Sequence, residues 1–152
     1  MSVVLNIILA GRPITKKNHS RMIVVGGRRM LIPSKQYKAY EDACGWQIRT
    51  QWSGQAIGRP VSIAASYYLT NRKGWPDLVG LEQATADILQ HFGVLQDDGY
   101  IADWDGSRIC GIDALQPRVE IRMRIHDWGE DGLDSIHPAL ARRKAESGKL
   151  EV

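Results

Sequence analysis

The sequence predicts an α/β (α+β) domain in which a mixed β-sheet packs with two main helices. Short apolar and β-branched runs bounded by turn residues recur along the first 126 residues, which is typical of strands. Two longer stretches space their apolar residues at helical intervals. The length of 152 residues fits one domain with a buried core, and no apolar run approaches the roughly 20 residues of a transmembrane helix.

The predicted strands are runs of four to nine residues, namely residues 3–9, 22–25, 28–32, 61–69, 107–112 and 118–125. Gly26-Gly27 separates the second run from the third. A type I′ turn needs positive φ at both central residues, so this pair predicts a hairpin. In the last run apolar residues alternate with Glu and Arg, which predicts one buried face and one wet face.

The first helix is predicted to begin after Ser34, a suitable N-cap, and to place Tyr37, Tyr40, Cys44 and Ile48 on one face. The second helix carries an apolar stripe and is expected to end at Gly93. The stripe consists of Leu78, Leu81, Ala84, Ile88 and Phe92. Such stripes are typical of helices that pack on a sheet.

Residues 1–126 are predicted to form the folded domain. Residues 127–152 are predicted to form a C-terminal tail that is either poorly ordered or helical between Pro138 and Ser147. Cys44 and Cys110 are far apart and form no C-x-x-C pair, which argues against a zinc ribbon or a disulfide framework. This cysteine usage fits a reducing cytoplasm.

The net charge of +3 hides a strong asymmetry along the chain. Residues 1–73 carry 12 Lys or Arg and two acids, a net charge of +10, whereas residues 74–126 carry nine acids and four bases, a net charge of −5. A basic half joined to an acidic segment is typical of a protein that binds a polyanion and holds a divalent metal. The alternative is a solvated surface whose charges are unevenly distributed along the sequence.

The acidic segment places four aspartates around the second helix: Asp77 before it, Asp87 on it, and Asp97 and Asp98 where the chain returns. Each has a simple structural alternative, namely an N-cap, a solvent-facing helix residue and a turn. Loops at the ends of neighbouring strands bring such carboxylates together. Magnesium takes one or two carboxylates with water and phosphate oxygens, and a metal so held activates water against a phosphodiester.

The basic residues expected to contact phosphates lie on predicted loops and on the hairpin. They are Lys16, Lys17, Arg21, Arg28, Arg29, Arg72 and Lys73. Loops and hairpins are able to grip a DNA backbone, and ordinary surface charge is the alternative. Phosphate contacts release counterions, so binding is expected to depend steeply on salt.

Two other patterns are weaker candidates for a functional site. Asp103-x-Asp105-Gly106 has the wrong residues at the outer positions of a calcium loop and predicts a turn. His126-Asp127 has no partner at metal or triad spacing along the chain. No Gly-rich loop of the P-loop type is present in the sequence.

The central block resembles the signature of the RusA family of Holliday junction resolvases. The matching residues are Pro76-Asp77-Leu78, Leu81, Ala84, Asp87-Ile88-Leu89, Gly93-Val94 and Asp97-Asp98. The family's pattern is approximately P-D-L-D-N-L-x-K-A-x-x-D-A-L and, after a short gap, G-x-x-x-D-D. Gly11-Arg12-Pro13, Lys16-Lys17 and Arg21 are similar to the family's G-x-P opening and basic loop, and the likeness covers residues from about 5 to 125.

The resemblance implies a RusA-like fold and a homodimeric endonuclease that uses Mg²⁺, or Mn²⁺, to resolve Holliday junctions or other branched DNA. It also implies a cytoplasmic enzyme of bacterial or phage origin. The implied catalytic residues are Asp77, Asp87, Asp97, Asp98 and Gln83, and the implied metal ligands are the four aspartates.

Three departures from the family pattern bear on activity. The family's second aspartate falls on Val79, its asparagine on Gly80 and its lysine on Gln83. Either Asp87 or Glu82 takes over a ligand role, or activity is weakened. Gln83 and Asp87 are four residues apart and share a helix face. The alternative function is a catalytically weakened protein that binds junctions or RNA.

Overall fold

The computed structural model describes residues 2–16 and 20–127, and the side chains of Ser2, Val4, Ser20 and Arg21 are not described. The predicted tail beyond Asp127, with its helix between Pro138 and Ser147, lies outside this part of the chain. The described residues form seven strands and two helices. These are β1 (Ser2–Ala10), β2 (Ser20–Val25), β3 (Arg28–Pro33), α1 (Lys35–Gln51), β4 (Val61–Leu69), α2 (Leu78–His91), β5 (Ile101–Asp103), β6 (Arg108–Ile112) and β7 (Arg118–Ile125).

The main sheet has five strands and is mixed, as the sequence predicts. β7 pairs antiparallel with β1 on one side and with β4 on the other. On its far edge β4 pairs parallel with β5 near Val61 and with β6 from Ser66 to Leu69. The α+β class with a mixed sheet and two helices is therefore confirmed.

The second sheet is the predicted hairpin of β2 and β3. Gly26 and Gly27 both have positive φ, 58° and 78°, which is the backbone that a type I′ turn requires. The sequence did not predict β5, because its three residues, Ile101–Asp103, are too few to show a periodic pattern.

The core lies on one face of the main sheet, where both helices pack. On α1 the residues Tyr37, Cys44 and Ile48 are buried and Tyr40 is partly buried. On α2 the centre of the predicted stripe is buried, with Leu78 and Phe92 partly buried at its ends. The alternate residues of β1, β4 and β7 complete the core, so the predicted in–out pattern of the last strand is confirmed.

The ends of the two helices follow local rules. Ser34 caps α1, and its hydroxyl accepts a hydrogen bond from the Tyr37 N–H at 3.1 Å. Gly93 follows α2 with φ 79°, as expected of a residue that ends a helix in the left-handed region. Neither described helix combines the length and the apolar composition needed to cross a membrane.

The outer edge of β1 is covered by two glutamine side chains of α1. The Gln51 amide accepts from the Ile8 N–H at 2.9 Å and donates to the Ile8 carbonyl at 2.8 Å. Gln47 pairs with Ala10 in the same way, at 2.7 and 2.9 Å. These amides occupy backbone groups that a neighbouring strand would otherwise bind, and so they block strand addition at this edge.

Candidate functional site

A cavity of about 360 Å³ opens between the start of α2, the hairpin and the loop that follows β1. Four of its lining side chains are predicted site residues, namely Lys16, Asp77, Gln83 and Asp87. Much of the remaining lining is apolar and includes Leu31, Ile32 and Pro33 of β3. The cavity therefore joins two of the four predicted carboxylates with one predicted cation and one amide.

Asp77 serves as the N-cap of α2. Its backbone is extended and its Oδ2 accepts a hydrogen bond from the Gly80 N–H at 3.0 Å. The N-cap was the structural alternative to a site role for Asp77. The structure shows that Asp77 caps α2 and also lines the cavity. Oδ1 makes no hydrogen bond within the described residues, so one carboxylate oxygen of Asp77 is left for a cation or a phosphate-bound water.

Asp87 is half-buried on the cavity side of α2. Burial raises the pKa of its carboxyl above the ordinary value of 3.8, Lys16 lowers it, and the carboxylates of Asp98 and Glu41 raise it further. The net shift is upward, so crowding by acids and loss of water outweigh the lysine. A bound cation would relieve this unfavourable charge.

Asp97 and Asp98 lie outside the lining of the cavity. Asp97 caps a 3₁₀ turn at Asp98–Tyr100, where its Oδ1 accepts from the Gly99 N–H at 2.8 Å. Asp98 is exposed, and its backbone N–H donates to Gln90 Oε1 at 2.9 Å. Since Asp98 affects the pKa of Asp87, it is close enough to act on the cavity electrostatically.

The cavity has as many carboxylates as a magnesium site commonly uses. Asp77 and Asp87 supply two carboxylates to one cavity, and Mg²⁺ is commonly held by one or two carboxylates with water and substrate phosphate. Within residues 2–16 and 20–127, no group of three or more His, Cys, Asp or Glu side chains is placed to hold a metal ion. The four predicted ligands are thus divided between the cavity and the return turn.

The three departures from the family pattern all line the cavity. Val79 is 71% exposed beside the carboxylates, and Gln83 is exposed one turn further along α2. At Gly80 an added Cβ would lie 2.8 Å from Asp77 Oδ1 and 2.9 Å from Thr15 Cγ2. Real Cβ atoms essentially never come this close to another atom, so a side chain at position 80 would force Asp77 or Thr15 to shift.

No family model and no curated protein matches this chain. The resemblance to the RusA family therefore rests on the residues of the motif alone. The cavity adds a physical reason why several of those residues belong together.

The predicted basic residues occupy three places. Lys16 is in the cavity, Arg28 and Arg29 are exposed at the start of β3, and Arg72 and Lys73 are exposed on the loop before α2. Arg21 lies in β2 opposite Ile32, and Lys17 lies outside the described residues. Among the predicted basic residues that the structure describes, Lys16 alone lines the cavity with Asp77 and Asp87, and its charge lowers the pKa of Asp87.

Two contributors to the cavity were not predicted. Arg12 donates from Nη2 to the Lys73 carbonyl at 2.7 Å and ties the loop after β1 to the loop before α2. Glu41 of α1 acts electrostatically on Asp87. Both effects join residues that are more than 40 positions apart, and sequence spacing gives no signal for such a contact.

A second polar cluster lies at the opposite end of β4. His126 Nε2 is 2.9 Å from Asp103 Oδ2, and the Ser62 hydroxyl donates to the other oxygen of Asp103. Burial opposes ionisation of Asp103, but hydrogen bonds from Ser62, the Asp105 N–H and His126 lower its pKa overall. The fold thus supplies the partner for His126 that sequence spacing lacked. The carboxylate is shared between Ser62 and His126, so the cluster holds the end of β7 rather than activating a nucleophile.

Proposed function

We propose that this protein is a magnesium-dependent, structure-specific DNA endonuclease of the RusA type. Its substrates would be Holliday junctions or other branched DNA. The observation that carries the proposal is the single cavity lined by Asp77, Gln83, Asp87 and Lys16. Carboxylates beside a lysine and an amide form the combination that phosphodiester hydrolysis uses, since charge must be both held and neutralised.

Each cavity residue has a separate role in this proposal. Asp77 and Asp87 are the residues that would hold Mg²⁺, whose chemistry is to acidify water and to stabilise the leaving oxygen. The Gln83 amide donates to a non-bridging phosphate oxygen and orients the phosphodiester, and Lys16 offsets its negative charge. The raised pKa of Asp87 reflects burial and neighbouring carboxylates, an unfavourable charge that a bound cation would offset.

The arginines and lysines around the cavity favour recognition by backbone contacts. Arg28, Arg29, Arg72 and Lys73 are exposed, and contacts to phosphates position a nucleic acid without reading its bases. This mode suits a substrate defined by its branched shape. A homodimer would place two cavities on one junction and allow paired nicks.

The decisive experiment offers a synthetic four-way junction and a linear duplex of the same sequence to wild type and to Asp77→Asn, with and without Mg²⁺. Asparagine caps a helix nearly as well as aspartate, so Asp77→Asn is expected to fold with an unchanged Tm. Its junction cleavage is expected to fall about a hundredfold or more, in line with the loss of one electrostatic contact to the reacting centre.

The matched control is Asp105→Asn, which removes an exposed carboxylate away from the cavity. It is expected to cleave at the wild-type rate. Junction cleavage by Asp77→Asn or Asp98→Asn at the wild-type rate would refute the assignment of that residue. Cleavage by wild type without any divalent cation would refute the metal-dependent mechanism.

One observation favours a second candidate, a protein that binds junctions without cutting them. The described residues gather no third acidic or histidine ligand at the cavity, and Lys16 already offsets part of the acidic charge. This candidate predicts junction binding in EDTA that is unchanged by Mg²⁺ or Mn²⁺, with no strand cleavage. An RNA hairpin added as competitor would separate a junction binder from an RNA binder.

A further inference from the structure

The β2–β3 hairpin exposes large apolar side chains that no described element covers. Met22, Val24 and Leu31 are 61%, 68% and 69% exposed. A two-stranded hairpin is marginally stable in water, and exposed apolar clusters on a soluble surface mark interaction sites. The hairpin therefore carries an apolar surface that the described residues leave uncovered.

Strand register places these residues on one face. Met22 is opposite Leu31, and Val24 is opposite Arg29. Because side chains alternate along a strand, positions 22 and 24 share a face with positions 29 and 31. Met22, Val24, Arg29 and Leu31 are called the hairpin face below.

The hairpin face is continuous with the cavity. Leu31 belongs to both, and Val79 at the start of α2 is an exposed apolar residue on the opposite side of the same opening. Leu31 thus joins the hairpin face to the cavity that also contains Asp77 and Asp87. An extended molecule bound along the hairpin face would reach the edge of that cavity.

The charge of the hairpin identifies the chemical class of that molecule. Residues 20–33 contain three arginines and no acid. Arg28 and Arg29 are exposed next to the Gly26-Gly27 turn and form no ion pair within the described residues. The partner must be apolar where it meets Met22, Val24 and Leu31, and anionic where it meets the arginines. A second copy of the hairpin would bring more arginines and no carboxylate to pair with them.

We propose that the hairpin face packs against base pairs left unstacked at a DNA branch point, while Arg29 on that face and Arg28 beside the turn contact the flanking phosphates. Bases have apolar faces and phosphates are anionic, so branched DNA satisfies both requirements. Aliphatic side chains such as Leu and Met serve elsewhere as wedges between base steps. A linear duplex keeps its bases stacked and offers no such surface. This inference rests on the proposed function and names the element that distinguishes branched from linear DNA.

The test uses the double variant Val24→Ser/Leu31→Ser and measures affinity in EDTA for a four-way junction and a linear duplex of the same sequence. The variant removes two aliphatic contacts to unstacked bases, so junction affinity is expected to fall about tenfold or more. Duplex affinity is expected to stay within about twofold, because the arginines remain. The matched control is Ile112→Ser/Leu115→Ser, which changes two exposed apolar residues away from the hairpin and should leave both affinities unchanged.

A second measurement reports on the bases themselves. A 2-aminopurine placed at the branch point gains fluorescence when it is unstacked. Wild type is expected to raise this signal, and Val24→Ser/Leu31→Ser is expected to raise it less at saturating protein. Thermal unfolding of the variant checks that the domain is intact.

Three outcomes would overturn the inference. The first is junction binding by the variant that is as tight as that of wild type, and the second is an equal loss of junction and duplex affinity. The third is a variant whose only change is a lower mass in sedimentation or weaker binding to anionic vesicles, which assigns the hairpin face to a second copy or to a membrane. Because binding is measured in EDTA without Mg²⁺, a change in cleavage activity does not affect the measured affinities. Wild type that binds no DNA at all would instead refute the proposed function.

Discussion

The phenol oxygen of Tyr67 lies 2.7 Å from the hydroxyl oxygen of Thr85 in the core between β4 and α2. Thr85 also donates to the Leu81 carbonyl at 2.9 Å. A hydroxyl has one proton to donate, so Thr85 accepts from Tyr67 and the direction of the hydrogen bond is fixed. Burial raises the pKa of Tyr67, which keeps this donor protonated at neutral pH.

The Tyr67–Thr85 pair predicts a non-additive mutant cycle. Tyr67→Phe removes the donor and is expected to cost about 1 kcal/mol, whereas Thr85→Val leaves a buried phenol without its acceptor and costs about 1–3 kcal/mol. In the double variant no phenol is left unsatisfied, so its cost is expected to be less than the sum. Urea unfolding measures all three. Strict additivity would show that the two hydroxyls do not interact in the folded protein.

The contact between Gly80 and Asp77 predicts that Gly80→Ala is harmful. Alanine is the better helix former by about 1 kcal/mol, but its Cβ would displace the Asp77 carboxylate or the Thr15 methyl. Gly80→Ala is therefore expected to lower both the Tm and the rate of junction cleavage. In an Asp77→Ala background one of the two clashing groups is gone, and the loss of Tm caused by Gly80→Ala is expected to shrink. An increased Tm in the wild-type background would contradict the prediction.

The raised pKa of Asp87 predicts that this carboxylate destabilises the fold at neutral pH. The folded-state pKa lies above the ordinary value of 3.8, so the favourable contribution of Asp87 is present below that value and is lost as pH rises through the folded pKa. Asp87→Asn is expected to be more stable than wild type at pH 7 by a few tenths of a kcal/mol, since solvent screens a half-exposed group. The difference should diminish at pH 4.

Magnesium adds a second measurement on Asp87. If Asp87 holds the cation, Mg²⁺ is expected to raise the Tm of wild type more than that of Asp87→Asn, because only the folded state binds it. Equal shifts in both proteins would remove Asp87 from the metal site. A cleavage assay of Asp87→Asn tests whether Asp87 takes over the role of the aspartate that the family pattern has at the position of Val79.

The amides of Gln47 and Gln51 predict an effect on both stability and aggregation. Gln51→Ala exposes the Ile8 backbone at the edge of β1 and is expected to cost about 0.5–1.5 kcal/mol. The opened edge also favours strand addition between chains, so light scattering on heating should begin at a lower temperature. Gln36→Ala, an exposed glutamine on the same helix, is the matched control and should change neither quantity.

Local features of the fold were predictable because their causes are local. Gly26-Gly27 specifies a type I′ turn, Ser34 caps the helix that follows it, and Val61–Leu69 is a buried strand with the predicted bounds. β5 was missed because it is formed by pairing with Val61 and Ser62, not by its own three residues. The order of strands in the sheet also depends on such distant pairings.

In the candidate site, too, the local features were predictable from the sequence and the long-range contacts were not. Gln83 and Asp87 were predictable as neighbours because they are four residues apart on α2, and Asp77 because it lies at the N-cap of that helix. The approach of Lys16 and Glu41 to Asp87 depends on how the loop after β1 and α1 pack against α2. The partnership of Asp103 with His126 likewise arises only when β5 and β7 are in place on either side of β4.

The position of β7 sets the time at which the main sheet becomes complete during synthesis. β1 pairs with β7 and not with β4 within the described residues, and Ser2 aligns with Ile125 at the far end of the domain. A ribosome delivers the chain from its N-terminus, so β1 waits without a strand partner until residues 118–125 have emerged. The strands of the hairpin pair within residues 20–33, so both of them emerge long before β7 does. A nascent chain halted before Arg118 would thus present an apolar β1 without its strand partner. Chaperone binding to β1 is expected to matter most before residues 118–125 have emerged.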